Sequence, residues 1–387
     1  MQAVNISTES DAFIGTSTVV KNTFNLPEDT TIFWAGSRIY AKRPCNRDII
    51  VSKIDIFCEG TLEKGEYIRE KSIPLSSRIP PSTEERNIAY RIRTEISMVK
   101  PGTRAEEEYF FAEKPIILKA RPPKTGKFNP VEVSIKGIKI HMDKDHFQPG
   151  ETINIDYELE SFKDLQVELI KNANLSCRCP DYAPSCIHIK PIPPSVEKTV
   201  KASNLTTGTL QIPLPSSIEL SHRYIWEPPE KTHWKETYGD HVNWVLKITG
   251  INTSGEIVEF QIPIIIYRKQ TPEESELFTS KQAPRPILQK ILVPDLIQIV
   301  SHNKNNKRLS VSFKNNSKEI LTGVTVKIIP IESEFFELPP FLTGLNKWEP
   351  GTEIKAFHNN VGTNIKNFQI LIEDNHGNSI SKRLKIQ

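Results

Sequence analysis

The chain has 387 residues, and its 50 Lys and Arg against 47 Asp and Glu leave a formal net charge of only +3, too little to imply a nucleic-acid partner. An apolar share of 37%, with 29 prolines against 17 glycines, suits sheets with one face in water better than helical bundles. The longest apolar stretch, IPIIIY at 262–267, falls far short of the ~20 residues of a spanning helix. MQAVNISTESDAFIG has no basic stretch leading into an apolar one, so the expectation is a soluble cytoplasmic protein without a signal peptide.

Taken in chain order, alternation with period two predicts strands at 49–57 (IIVSKIDIF), 88–96 (IAYRIRTEI), 131–142 (VEVSIKGIKIHM), 153–160 (INIDYELE) and 165–170 (LQVELI). It predicts more at 244–251 (WVLKITGI), 258–266 (VEFQIPIII), 309–313 (LSVSF) and 324–331 (VTVKIIPI). The turn signals PEDT, EKGE, QPGE, NTSGE, EPGTE and DNHGN lie between strands. Strands so spaced, without intervening helices, predict an all-β protein built of antiparallel sandwiches.

Two composition breaks divide the chain. KARPPKTGKFNP at 119–130 and RKQTPEESELFTSKQAPRP at 268–286 are polar and lack apolar periodicity, so both read as linkers. The expected organisation is a sandwich at 1–118, a linker at 119–130, a sandwich with a Cys/His hairpin at 131–268, a polar linker at 269–287 and an immunoglobulin-like sandwich at 288–387. In each of the first two segments a proline-rich stretch precedes a long strand (SIPLSSRIPPSTEERNIAYRIRTEI; LQIPLPSSIELSH…VNWVLKITGI). That weak self-similarity suggests two copies of one fold.

These residues resemble the arrestin superfamily: arrestins, their α-arrestin relatives and the arrestin-fold subunit of retromer. DIIVSKIDIFCEG (48–60), IPLSSRIPPSTE (73–84) and IAYRIRTEI (88–96) are similar to the family's N-domain. HFQPGETINIDYELES…KDLQVELI (146–170), IPLPSSIELS (212–221) and VNWVLKITGI…VEFQIPIII (242–266) are similar to its C-domain. The resemblance covers about 40–268 and rests on the ordered series. It implies tandem arrestin-like sandwiches and a non-enzymatic scaffold that binds partners through sandwich faces and loops, many members acting on membrane cargo. Pro-Pro-x-Tyr tails are absent, and no residues match the family's polar core or its clathrin and adaptin tail motifs. Phosphoreceptor recognition is therefore not implied. LSVSFKNNSKEILTGVTVKIIP, KWEPGTEIKAF and FQILIEDNHGNSIS resemble an immunoglobulin-like binding module.

Of chemical motifs, G-x-S-x-G, H-E-x-x-H and the P-loop do not occur. SHRYIWEPPEKTHWKETYGDH (221–241) gathers His222, His233 and His241 with two tryptophans, and Asp240 adjoins His241. Without a nucleophile or an ordered base at a known spacing, it reads as a tryptophan-anchored connection between strands and not as a catalytic cluster. The basic runs at 119–127 and 303–308 read as solvated loops, with approach to an anionic membrane as the alternative. Cys58, on a strand, reads as a small core residue.

LSCRCPDYAPSCIHIK (175–190) holds three of the five cysteines and a histidine. A hairpin of LSCRC with CIHIK places Cys179 opposite Cys186 and Cys177 opposite His188, with opposed Cβ atoms ~5 Å apart. Three thiolates and an imidazole suit a tetrahedral structural zinc, so Cys177, Cys179, Cys186 and His188 are the expected ligands. Ligands at i and i+2 on one strand lie ~6.7 Å apart and require a kink, and C-x-C is narrower than the usual C-x-x-C. A Cys179–Cys186 disulfide, buried thiols and a copper(I) thiolate site are the alternatives. The expected function is an intracellular arrestin-like adaptor for cargo or signalling proteins, cytoplasmic or peripheral at a membrane. The alternative is a structural or surface-associated multi-sandwich protein.

Overall fold

A computed structural model describes residues 4–9, 11–42, 48–100, 103, 106–120, 128–178, 192–228, 237–279, 297–305, 307–333, 336–337, 339–359, 361 and 365–386. The chain is all-β, as its alternation predicts. The first segment supplies β1 (Val4–Thr8), β2 (Asp11–Phe13), β3 (Ser17–Leu26), β4 (Thr30–Ala41), β5 (Ile49–Phe57), β6 (Gly60–Leu62), β7 (Gly65–Pro74), β8 (Tyr90–Val99) and β9 (Glu107–Lys119). Sheet β1-β3-β7 packs on a larger sheet ordered β2-β9-β8-β4, to which β5 and β6 add along β4. β5 coincides with the alternation at 49–57. β8 starts two residues later than its alternation suggests, because Ile88 closes a small turn onto Thr83, with Asn87 at φ 53°.

The second segment contains β10 (Val131–Ile135), β11 (Ile138–Met142), β12 (His146–Phe147), β13 (Thr152–Leu159), β14 (Phe162–Arg178), β15 (Ser195–Lys201), β16 (Thr207–Pro213), β17 (His222–Trp226), β18 (Thr237–Asn252) and β19 (Ile257–Ile266). Sheet β10-β11-β13-β16 covers sheet β12-β19-β18-β14-β15. β13 shows why: Ile153, Ile155, Tyr157 and Leu159 point inward and are buried, while Thr152, Asn154, Asp156 and Glu158 alternate outward. The single strand expected at 131–142 is a hairpin instead. Ile135 pairs Ile138 across Lys136 (φ 47°) and Gly137 (φ 86°), a two-residue turn with both φ positive, which only a residue such as Gly137 enters without strain.

Within the linker expected at 269–287 lies a short helix, α1 (Pro272–Thr279). Thr271 caps it: its Oγ1 accepts from the Glu274 N–H at 3.2 Å, and Glu274 Oε2 accepts from the Thr271 N–H at 3.0 Å. Pro272 occupies the first helical position, where its missing donor costs nothing.

The third segment folds as β20 (Ile297–Asn305), β21 (Arg308–Asn315), β22 (Leu321–Ser333), β23 (Phe336–Glu337), β24 (Phe341–Trp348), β25 (Glu353–His358), β26 (Asn367–Glu373) and β27 (Ser379–Lys385). Sheet β20-β21-β25 packs on β24-β22-β26-β27 around Phe313, Val326, Trp348 and Phe368. This sandwich is joined directly to the first. β24 pairs in parallel with β6, Leu342 beside Gly60 and Gly344 beside Leu62, making one 11-stranded sheet. Buried Arg69 of β7 crosses the seam, donating to the Gly323 carbonyl at 2.8 Å and to Thr325 Oγ1 at 2.7 Å, while Lys71 pairs with Glu373 at 2.6 Å. Close approach requires glycine here: a Cβ on Gly60 would lie 2.1 Å from the Leu342 carbonyl oxygen.

Candidate functional site

The densest buried chemistry lies where the first and second sandwiches meet. The proline-rich stretch of each segment ends there: Glu85 and Arg86 follow IPPST, and Glu219 lies in PSSIELS. Arg86, whose side chain is 1% exposed, donates from Nη1 to Glu219 Oε2 at 3.1 Å and from Nη2 to Asp240 Oδ2 at 2.8 Å. Its Nη2 also engages the second Glu219 oxygen, which makes that pair bidentate. Arg86 Nε lies 2.7 Å from Asp240 Oδ1, an ion-pair contact lying off the hydrogen-bond line.

Lys171 of β14 completes the bridge from the other side, 2.9 Å from both Glu85 oxygens and 2.7 Å from Glu219 Oε2. His222 of β17 places one ring nitrogen 2.8 Å from Asp240 Oδ2 and the other 3.0 Å from the Leu220 carbonyl. The first sandwich thus contributes Glu85 and Arg86, and the second contributes Lys171, Glu219, His222 and Asp240.

Burial sets the electrostatics of this node. It opposes ionisation of Glu219, yet hydrogen bonds from Arg86 and Lys171 hold that carboxyl below the usual glutamate range. Burial likewise opposes the Arg86 charge, and Glu219 and Asp240 more than restore it, raising its pKa. Tyr90, donating to the Pro80 carbonyl at 2.6 Å, is pushed well up by burial and by the nearby Tyr238 and Asp240.

An apolar cluster surrounds the node and also crosses the boundary. Leu175, Cys177, Trp226 and Tyr238 of the second sandwich pack in one core with Ile49, Val51, Ile79, Ile88 and Tyr90 of the first. Gly239 fits only without a side chain, since a Cβ would meet the Tyr224 carbonyl oxygen at 2.6 Å.

Of the expected metal ligands, Cys177 lies in this core, 4% exposed, near the end of β14 and opposite Tyr238 of β18. Cys179, Cys186 and His188 lie outside the described residues, as does the second arm of the expected hairpin. The first arm, as far as Arg178, is paired with β18. Among the described residues no group of three or more His, Cys, Asp or Glu is arranged to hold a metal ion.

The 221–241 stretch is split. Trp226 is buried as an anchor, His222 and Asp240 join the node, His241 pairs with Arg223 across the strands, and His233 lies outside the described residues. The adjacency of Asp240 and His241 that drew notice in sequence is not the contact that forms. Neighbours on a strand point to opposite faces, and Asp240 meets His222 instead.

An open hollow on the outer face of β10, β11, β13 and β16 is lined by Glu132, Lys139, His141, Asp156 and Thr209. Its polar groups are engaged locally: Lys139 pairs with Glu158 at 3.0 Å, His141 lies 3.7 Å from Glu132, and Asp156 accepts from Thr209. Cys58 is half-buried against the first core, and burial pushes its thiol up. Among the described residues no helix is long and apolar enough to cross a membrane.

Comparison with known proteins leaves this geometry to stand by itself: no family model and no curated protein matches the chain.

Proposed function

We propose that the chain is a non-enzymatic, arrestin-like adaptor that binds protein partners in intracellular trafficking or signalling. One observation carries the reading: the two proline-rich stretches on which the resemblance rests end at the buried node that ties the sandwiches together. A bridge of that kind holds two sandwiches in one arrangement and lets their faces and loops act as one platform. The buried Asp240–His222 pair has Arg86 and Glu219 as its neighbours in a closed junction, an arrangement suited to joining domains.

A structural zinc held by Cys177, Cys179, Cys186 and His188 belongs to the same proposal. Three thiolates and one imidazole form a closed donor set that leaves no position for water or substrate. Cys177 brings one sulfur to the domain junction, so a metal there would fix the end of β14 beside the first sandwich. Elemental analysis finding no zinc, with thermal stability unchanged by a chelator, would remove this part.

Affinity capture from native lysate, followed by mass spectrometry, tests the adaptor reading. Cargo or signalling proteins should be recovered with the native chain and reduced with Arg86→Ala. Co-fractionation with the cell envelope, without such partners, would favour a structural surface protein instead. A hydrolytic activity lost in both His233→Ala and His241→Ala would favour an enzyme.

A further inference from the structure

Among the described residues, β9 of the first sandwich is paired along its length on one side and over three residues on the other. β9 pairs with β8 along its length without a register shift, from Glu107 opposite Val99 to Ile116 opposite Tyr90. On its other side, among the described residues, the only strand paired with it is β2, at residues 117–119, while β1 of the facing sheet approaches it without pairing, Lys114 donating to the Thr8 carbonyl at 3.0 Å. The direction of its backbone groups follows from two contacts. Leu118 uses both its N–H and its C=O on Ser82, on the β8 side, while the Lys119 carbonyl accepts from Ile14 on the opposite side. Alternation along the strand therefore turns the backbone groups of Glu107, Tyr109, Phe111 and Glu113 away from β8. Among the described residues no strand pairs with them. Pro115, lacking an N–H, ends the open run.

The side chains at these positions are unusual for an edge, where lysine, proline or a short strand normally discourages pairing. Tyr109 and Phe111 are 57% and 55% exposed on the outer face of the sheet. Both are held in place. The Arg93 guanidinium lies 4.7 Å from the Phe111 ring centroid and is itself anchored by Glu113, and the Tyr109 hydroxyl bonds Glu107, which also accepts from Ser97. Aromatic residues fixed before binding lose little entropy on contact, the quality that marks binding hot spots.

We infer that 107–113 of β9 is a docking edge for an extended peptide that adds as an antiparallel strand, with two alternate apolar residues followed by basic ones. The apolar residues lie opposite Phe111 and Tyr109, on the same outer face. The basic end lies against Glu107 and Glu108, beside Glu106, which Lys100 engages at 3.1 Å. A second copy of this chain fits worse: antiparallel pairing of Tyr109 with Phe111 sets Glu107 opposite Glu113 at both ends, and like charges directly opposite are destabilising. The inference rests on the adaptor reading for its biological sense. Its test is read on the β9 amides, so its failure leaves the domain junction reading intact.

The test uses the whole chain and a capped seven-residue peptide alternating threonine with valine and ending in two lysines. Titration should slow hydrogen exchange at Tyr109, Phe111 and Glu113. Methylating the peptide amides that face β9 should abolish this, and methylating those on the far edge should not. Phe111→Lys, altering an exposed side chain, should weaken binding about tenfold while leaving the melting temperature unchanged. The inference is overturned by unchanged exchange at 107–113, by binding indifferent to which edge is methylated, or by equal binding of a peptide ending in two glutamates. A chain that sediments as a dimer, and becomes a monomer with Phe111→Lys, would make the second copy the occupant and overturn it as well.

Discussion

The first sandwich meets its two neighbours by different physics. Toward the second it offers side chains: Glu85 and Arg86 reach across to Lys171, Glu219 and Asp240, and apolar residues close around them. Toward the third it offers backbone, since β6 accepts β24 into the sheet and Gly60 and Gly344 let the strands approach. Arg69 then fastens the seam mainly through carbonyl and hydroxyl acceptors. A junction built on opposed buried charges depends on their staying paired, because Arg86 and Asp240 at its centre have lost their water. A junction of strand pairing depends on shape, and no single side chain carries it. The two should therefore fail differently when struck.

Arg86→Ala should be the heaviest blow, leaving the buried Asp240 carboxylate without its principal cation. The expected loss is about 3–5 kcal/mol in denaturant unfolding, with early proteolytic cleavage near the first–second junction. An Arg86→Ala chain as stable as the native one would mean that the node does not hold the sandwiches together. Gly344→Val should strike the other junction more lightly, by about 1–3 kcal/mol, because a Cβ there would lie 2.1 Å from Leu62 Cδ2, a movable side-chain end. Limited proteolysis should then release the third sandwich first while the first two stay joined. The same fragment pattern from both variants would erase the distinction between the junctions.

How much of this was legible depended on the range of the interaction. β5 and β13 were readable because alternation is local and each buries alternate residues. β3, from Ser17 to Leu26, also buries alternate positions, but two of them are the polar Thr18 and Asn22, so its apolar alternation is broken. The Lys136–Gly137 turn was hidden because a hairpin with a two-residue turn keeps both arms alternating, and only the glycine marked it. The helix at 272–279 did carry its own signal, Thr-Pro-Glu-Glu, a capping box inside a stretch whose polarity pointed to a linker. The node was not legible. Arg86 and Asp240 stand 154 residues apart, and no local pattern says which of many charges will be buried together. Nor does any pattern within the third segment announce that Arg69 will fit between Gly323 and Thr325. The Cys/His cluster was the reverse case, conspicuous in sequence, with Cys177 alone of the four among the described residues.

The smaller effects separate the junctions by acid. Glu219 titrates below the ordinary glutamate value of 4.5, because Arg86 and Lys171 favour its ionised form over the opposition of burial. A carboxyl lowered on folding stabilises the native state above its unfolded pKa, and that contribution fades as pH falls through the folded value. The Glu219 contribution to the first–second junction should thus be constant from neutral pH to about pH 4.5 and fade below it, as followed by cross-linking between the sandwiches. Glu219→Gln should flatten this profile by removing the titrating group, at some cost in stability at neutral pH. The seam between β6 and β24 is built on backbone pairing and should be the less sensitive of the two over the same range. If release of the third sandwich tracks acid as steeply as the loosening of the second, then Lys71 and Glu373 matter more to that seam than the strand pairing does, and the contrast drawn between the two junctions fails.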